Sequence, residues 1–354
     1  MSPTDREDLR QRVTKAVEAF LTGQRPRLDA ISLDLIPAAD ALEAFLLDGG
    51  KRLRPAFAYW GWRGAGGEDN DAIVSAAAAL EWLQASALIH DDVMDGSDTR
   101  RGRPAVHRQF ASRHRAEGWQ GSAEAFGTAA AILLGDLALI WADEMVNTSG
   151  LPAEALRRAQ PVYDEMRTEL MAGQYLDLLA QAVGGHSVER SMTVARYKSA
   201  KYTVERPLHF GAALAGAGPD IIRAYTAYGL PLGEAFQLRD DVLGVFGDPS
   251  VTGKPAGDDL REGKRTVLIA KALAAATSDQ AAVVQRHLGD PALSEAGVAE
   301  LREVISSTGA LAETERVIGE LTGSALAALD VDGLDRTARD VLRELAVAAT
   351  SRRG

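Results

Sequence analysis

Cysteine is absent from the 354 residues. A disulfide framework and a thiolate metal site are both excluded. Aromatic residues make up only 6%, and β-branched residues are sparse beside alanine and leucine, which works against a sheet protein. No uninterrupted apolar stretch reaches the ~18 residues that span a bilayer. Residues 1 to 12 are polar and charged, without an apolar signal region. The expectation is a soluble, cytoplasmic chain with no transmembrane segment. An excess of basic charge is also missing. The formal net charge is −11, which argues against nucleic acid as a partner.

What is present favours helices. Hydrophobic residues are 46% and charged residues 25%, enough to bury a sizeable core. Alanine runs such as Ala76 to Ala79 and Ala129 to Ala131 are strong helix formers. The predicted fold is all-α, a single large helical bundle, with residues 1–354 as one domain. The periodicity predicts an amphipathic helix over 5–22, ended by Gly23 and Pro26, and another over 38–48, closed by Gly49-Gly50. Pro55 suits the first turn of the next helix. A long helix is predicted from Asp71 to about Asp95, then a polar loop from Gly96 to Arg103. Ser122 precedes a helical run to Val146. Pro161 is expected to start or kink the following helix. Residues 279–354 read as shorter, more polar helices.

Two acidic clusters stand out, Asp91-Asp92-Val93-Met94-Asp95 and Asp240-Asp241. Asp91 and Asp95 share one helix face, and Asp92 is turned about 100° away. Two like charges at that spacing repel, and they lie at a helix C-terminus, the unfavourable end for anions. A cluster placed against both preferences suggests a bound cation. Hard carboxylate oxygens favour Mg²⁺, which takes one or two carboxylates and completes its shell with water and phosphate. In the second cluster Gln237, Asp240 and Asp241 recur at i, i+3 and i+4, and Gly244 stands where a third carboxylate would repeat the first pattern.

Cations surround both clusters. Arg100, Arg101 and Arg103 follow the first, with guanidinium forks suited to phosphate oxygens. Lys254 and Lys264 follow the second. Gly49-Gly50-Lys51-Arg52-Leu53-Arg54 precedes a helix start, and Lys198-Ser199-Ala200-Lys201 forms a further patch. An acidic protein that binds a diphosphate must invert its field locally, and these groups can do so.

Together the segments Gly49–Pro55, Leu88–His107, Gly173–Asp177, Tyr197–Ala200 and Phe236–Thr266 resemble, in order, those of the trans-isoprenyl diphosphate synthase (polyprenyl synthetase) family. The resemblance implies an all-α bundle around a central apolar cavity, working as a homodimeric prenyltransferase that condenses an allylic diphosphate with isopentenyl diphosphate by Mg²⁺-dependent ionisation, condensation and elimination. By position it implies Asp91 and Asp95 as ligands of two magnesium ions and Asp240 as ligand of a third. It implies that Arg100, Lys198, Gln237, Lys254 and Lys264 contact the allylic diphosphate, with Ser199 beside them. Lys51, Arg54 and Arg101 are implied contacts of isopentenyl diphosphate. Asp91, Asp95, Arg100, Lys198, Asp240 and Lys254 form the implied catalytic set.

The chain departs from the family pattern twice. Gln84 stands where a histidine is frequent, and it can donate a hydrogen bond but carries no charge. Gly244 replaces the last carboxylate of the second motif, with Asp248 as a candidate substitute. Leu83, Ser86 and Ala87, below the first acidic cluster, are expected to set product length, with Leu83 and Trp82 as the floor. In the family, aromatic residues here stop the chain at fifteen carbons, so by resemblance the small Ser86 and Ala87 imply a longer product, geranylgeranyl diphosphate. A class I terpene cyclase and a non-catalytic helical subunit remain as alternatives at this stage.

Overall fold

The computed structural model describes residues 3–183, 187–247, 257–290 and 292–351. Most of its described residues are helical, as the composition predicts. The only sheet among them is a two-stranded ribbon, Thr99–Arg100 against Arg103–Pro104. The chain divides into two compact units, one of residues 1–59 and 68–157, the other of residues 60–67 and 158–354.

In the first unit α1 (Pro3–Asp29), α2 (Ile36–Leu47), α4 (Asp71–Met94), α5 (Val106–Ala116) and α6 (Ala123–Asn147) pack around α4. Asn70 caps α4 by accepting a hydrogen bond from Ile73 N at 3.1 Å, and Ser122 caps α6 in the same way through Ala125 N at 3.2 Å. The body of α4 is buried from Ile73 to Ile89 on most of its circumference. Trp82 meets Trp141 of α6 edge-on at 5.2 Å and Phe20 of α1 at 5.7 Å. These rings close the α1–α4–α6 core.

Helix α1 does not end at Gly23 or Pro26 but continues to Asp29. Leu21 and Gln24 are buried, and Gln24 Nε2 donates to Glu144 at 3.0 Å. Packing on neighbouring helices outweighs the one backbone bond that Pro26 forfeits in the last turn.

By length and composition two helices, α4 and α6, are apolar enough to cross a membrane. Glu81 and Asp136 interrupt their apolar runs in the sequence. The apolar stretch of α4 is 72% buried within the protein, that of α6 only 39%.

The second unit is built on α7 (Ala153–Val183) and α10 (Pro219–Phe246), with α8 (Val188–Val194) and α9 (Arg206–Ala215) between them. Pro161 lies inside α7, which starts eight residues earlier. Residues Ala195–Glu205 form a π-helix. Its wide turn lies against three glycines. A Cβ at Gly173 would fall 2.4 Å from Lys198 N, one at Gly233 2.5 Å from Ala200 O, and one at Gly229 2.8 Å from Glu205 Cα. Only glycine admits backbone that close. The later helices Val267–Ala275, Ser278–His287 and Glu295–Ser307 bury Leu268, Val284 and Leu301 against Val242 and Val245 of α10.

Candidate active site

The first acidic cluster ends α4. Asp91 and Asp92 lie in its last turn, and Asp95 is the C-cap, its N–H donating to Asp91 O at 2.8 Å. Asp91 and Asp95 are partly exposed, whereas Asp92 is buried. The burial reflects a separate task. Arg100 Nε donates to Asp92 Oδ1 at 2.9 Å, Arg100 NH2 makes a second bond to the same oxygen, and NH2 lies 3.8 Å from Asp91 Oδ2. Asp92 thus clamps Arg100 beside Asp91. The sequence signal for it was weak, since Asp92 sits off the Asp91–Asp95 face.

Arg100 stands on the ribbon, paired with Arg103. The two turn residues, Arg101 and Gly102, have φ of 54° and 74°. Positive φ at both central positions gives the tight turn whose twist suits a hairpin. Arg101 is thereby placed at the tip and reaches Asp48 O at 3.0 Å, while Arg103 pairs with Asp48 at 2.9 Å. Gly49, Gly50 and Arg52 also have positive φ, at 78°, 105° and 51°. A Cβ on Gly50 would meet Arg52 NH1 at 3.5 Å and Arg101 NH2 at 3.7 Å, so both guanidinium groups flank this backbone. Burial pushes the Arg101 guanidinium below its usual pKa, Arg52 and Arg100 add to the effect, and Glu81 opposes it. Glu81 is buried and bonded to Arg52 NH1 at 2.5 Å. In the sequence Arg52 was read only as one cation of this basic segment, and Glu81 was not singled out. Lys51 is exposed and Arg54 half-buried on the same segment.

Farther down α4, Ala87 and Gln84 lie within about 40° of the Asp91 face. Both are half-buried, and Gln84 Oε1 has no hydrogen-bond partner among the described residues. Leu83, Ser86 and Trp82 are fully buried. Ser86 is turned about 140° from Asp91 and Trp82 about 180°. The Trp82 ring belongs to the aromatic core, on the back of α4.

In the second unit α10 carries Gln237, Asp240, Asp241 and Gly244. Gln237 Nε2 donates to Asp241 Oδ1 at 2.7 Å. Burial pushes Asp241 up to about 7, Asp259 and Asp240 add to this, and Gln237 and the Val267 backbone oppose it. Asp240, half-buried, is the more solvent-facing carboxylate of the pair. On the π-helix, Lys198 Nζ bonds Asp177 Oδ2 at 2.7 Å, and Ser199 is half-buried beside it. Lys201 and Arg206 both bind Glu169, at 2.6 Å each, which ties this cationic segment to α7. Lys264 Nζ lies 2.6 Å from Glu262 and 3.5 Å from Asp259. Lys254 and Asp248 lie outside the described residues.

Among the described residues no three carboxylate or imidazole groups converge into a closed metal cage. The donors on offer are aspartate oxygens in twos, next to cations. That set fits Mg²⁺, which keeps water and phosphate oxygens in its shell.

The comparisons with known proteins agree. Residues 38–305 match the family Polyprenyl synthetase. The geranylfarnesyl diphosphate synthase of Aeropyrum pernix is 34% identical over 299 residues, 82% of this chain and 83% of that protein. The octaprenyl diphosphate synthase of Escherichia coli is 32% identical, with 80% of each chain covered. The crystal structure of geranylgeranyl pyrophosphate synthase from Corynebacterium glutamicum, complexed with isoprenyl diphosphate and magnesium, superposes with a TM-score of 0.93 at 46% identity, covering 98% of both chains. With the aspartate-ended helix, the arginine ribbon and the lysine-bearing π-helix all in place, the chain belongs to the polyprenyl synthetase family and is a trans-prenyltransferase.

Proposed function

We propose that the enzyme condenses an allylic diphosphate with isopentenyl diphosphate, head to tail, and that its product is geranylgeranyl diphosphate. The carrying observation is the Asp91–Asp95 pair with Arg100 clamped beside it by Asp92. The likeness to a geranylgeranyl synthase at 46% identity supports the product assignment, whereas relatives named for other chain lengths leave it to experiment.

Asp91 and Asp95 would hold two magnesium ions and Asp240 a third. When bound, the metal supplies Lewis-acid neutralisation of the leaving diphosphate. Arg100, Lys198, Gln237, Lys254 and Lys264 bind the allylic diphosphate and stabilise charge as the C–O bond breaks. Ser199 can donate to the same group. Lys51, Arg54 and Arg101 hold isopentenyl diphosphate, with Gln84 as a neutral donor. The apolar face of α4 below Asp91 keeps water from the allylic cation. No activated serine, cysteine or histidine is needed, and the released diphosphate is the base for the final proton.

Incubation with dimethylallyl, geranyl or farnesyl diphosphate, with and without isopentenyl diphosphate, tests this reading. Twenty-carbon diphosphate formed only when isopentenyl diphosphate and Mg²⁺ are both present is the expected outcome. Hydrocarbon or alcohol released from the allylic substrate alone would instead mark a cyclase.

Product length gives a sharper test. Leu83, Ser86 and Ala87 are the proposed ruler, and Ala87 alone of the three is half-buried on the Asp91 face. Ala87→Phe is expected to shift the main product to fifteen carbons, read by chromatography of the dephosphorylated alcohols. Ser86→Phe should shorten it too, but at a stability cost of about 1–3 kcal/mol from overpacking.

The homodimer is proposed on a surface observation. Phe126, Leu133 and Ile140 of α6 recur at heptad spacing and are 37%, 67% and 61% exposed. An apolar stripe at that period suits a helix from a second copy. Leu133→Arg is expected to give a monomer by light scattering, and an unchanged dimer would exclude α6 as the interface.

A further inference from the structure

We propose that Glu169 selects the π winding of residues Ala195–Glu205, and that this winding is what aims Lys198 and Ser199 at the allylic diphosphate. The proposal rests on the diphosphate-binding reading above and adds a positioning residue, one that touches no substrate itself.

A π-helix is rare and usually lasts a single turn. Here it lasts eleven residues, so something must hold it. Pro207, in the first turn of α9, has no N–H to give and breaks the α ladder at that point. It accounts for where the π-helix stops but not for its length. Gly173, Gly229 and Gly233 leave room for the wide turns, and room alone does not choose a winding.

Glu169 does choose. Its Oε1 accepts from Lys201 Nζ at 2.6 Å and from Arg206 NH2 at 2.8 Å, and its Oε2 accepts from Arg206 Nε at 2.6 Å. Lys201 and Arg206 are five residues apart. In an α-helix that spacing turns two side chains about 140° away from each other. In a π turn it is the hydrogen-bonded spacing, and residues five apart come nearly into line. The backbone shows the same pairing, since the Arg206 N–H donates to Lys201 O. One carboxylate therefore grips the two side chains whose backbones the π bond joins. Burial works to raise the Glu169 carboxyl, yet the bonds from Arg206 and Lys201 outweigh it and hold it below its usual range. Lys201 is held from its other side by Glu205, at 3.5 Å. All four side chains are 14% exposed or less, so salt screens these charges little.

The same stripe of α7 carries the link to the site. Glu169, Gly173 and Asp177 are spaced by four, on one face. Glu169 fixes the C-terminal end of the π-helix, Gly173 admits the backbone at Lys198, and Asp177 receives Lys198 Nζ at 2.7 Å. Each π turn rewound as an α turn would shift the side chains before Arg206 by one position, about 100° round the axis. Lys198 would then turn away from Asp177, and Ser199 with it.

A charge-neutral variant tests this. Glu169→Leu, Lys201→Met, Glu205→Gln and Arg206→Met together remove two charges of each sign, so the net charge is unchanged and no member of the network is left buried alone. The melting temperature is expected to stay within about 5 °C of wild type, because apolar replacement of buried pairs is commonly neutral. Mg²⁺-dependent binding of inorganic diphosphate, measured by calorimetry, is expected to weaken about tenfold, the worth of one charged hydrogen bond. The KM for the allylic diphosphate should rise in step, with the KM for isopentenyl diphosphate unchanged, and a crystal structure of the variant should show α bonds through residues 195–205. A merely structural network would give back wild-type binding once stability is kept, and that result overturns the proposal. So does a variant structure with the π-helix intact. If the fourfold variant fails to fold, Lys201→Met with Glu205→Gln leaves the Glu169–Arg206 pair whole and breaks only the five-residue bridge. It should weaken diphosphate binding about threefold, and wild-type affinity there overturns the proposal equally. A wild type that binds no diphosphate in the presence of Mg²⁺ would instead sink the functional reading on which the proposal rests.

Discussion

Asp91→Asn should lower turnover by about 10²–10³-fold, equivalent to roughly 2.7–4 kcal/mol of lost transition-state stabilisation, while leaving the protein at least as stable as before. The two effects have one origin. Asp91 and Asp95 are like charges one turn apart at the C-terminal end of α4. Position and spacing both disfavour them in the empty protein, by a few tenths of a kcal/mol each. Neutralising Asp91 relieves that repulsion, so the melting temperature should hold or rise slightly. Turnover is expected to fall because the carboxylate proposed to hold the metal is reduced to a weaker, uncharged donor. Raising Mg²⁺ should recover part of the activity, since affinity is lost before geometry. Arg100 stays clamped by Asp92 in this variant, so the loss cannot be assigned to a displaced arginine. Steady-state rates across a Mg²⁺ titration, with a thermal melt alongside, check both halves. A variant that is less stable and shows unaltered Mg²⁺ dependence would mean that Asp91 is a structural cap.

Much of this was legible in the chain, and the exceptions share a cause. Helix α4 was readable because its long body without breakers and its terminal aspartates are local signals. The turn at Arg101-Gly102 was readable only as a loop, because the sign of φ at an arginine is decided by what it reaches, here Asp48 O. The π-helix at Ala195–Glu205 has no period of its own in the sequence. It is admitted by Gly173, Gly229 and Gly233, which lie on other helices. Gly23 and Pro26 were read as stops because propensity is local, whereas Leu21 and Gln24 are held by tertiary contacts. In the candidate site, the first-cluster aspartates were proposed from their spacing, and Arg100 from its place after them together with the resemblance. Asp92 was set aside for its rotation, and that rotation is what lets it hold Arg100. Ser86 and Ala87 are neighbours in sequence, yet one residue turns the side chain by 100°, and only Ala87 is left half-buried.

Glu81→Ala should cost about 3–5 kcal/mol of stability, a fall in melting temperature on the order of 10 °C. Glu81 and Arg52 have side chains only 8% and 4% exposed and meet at 2.5 Å. Removing the carboxylate leaves the Arg52 guanidinium buried without its counter-charge, and that penalty exceeds anything the pair adds when whole. Arg52 also donates to Leu46 O at 2.6 Å from a backbone at φ 51°, so the side chain and the strained turn hold one another. The double variant Arg52→Met with Glu81→Leu removes both charges and keeps the volume. It should regain most of the lost stability, since apolar replacement of a buried pair is commonly neutral or favourable. It should not regain full function. Arg52 and Arg101 flank Gly50 together, and Glu81, with Asp48, opposes the lowering of the Arg101 pKa that burial causes. With both partners gone the segment carrying Lys51 and Arg54 loses its tie to α4. The KM for isopentenyl diphosphate is therefore expected to rise about tenfold in the double variant, with the KM for the allylic substrate unchanged. A stable double variant with wild-type constants for both substrates would reduce the pair to packing, and a double variant as unstable as Glu81→Ala would refute the desolvation account itself.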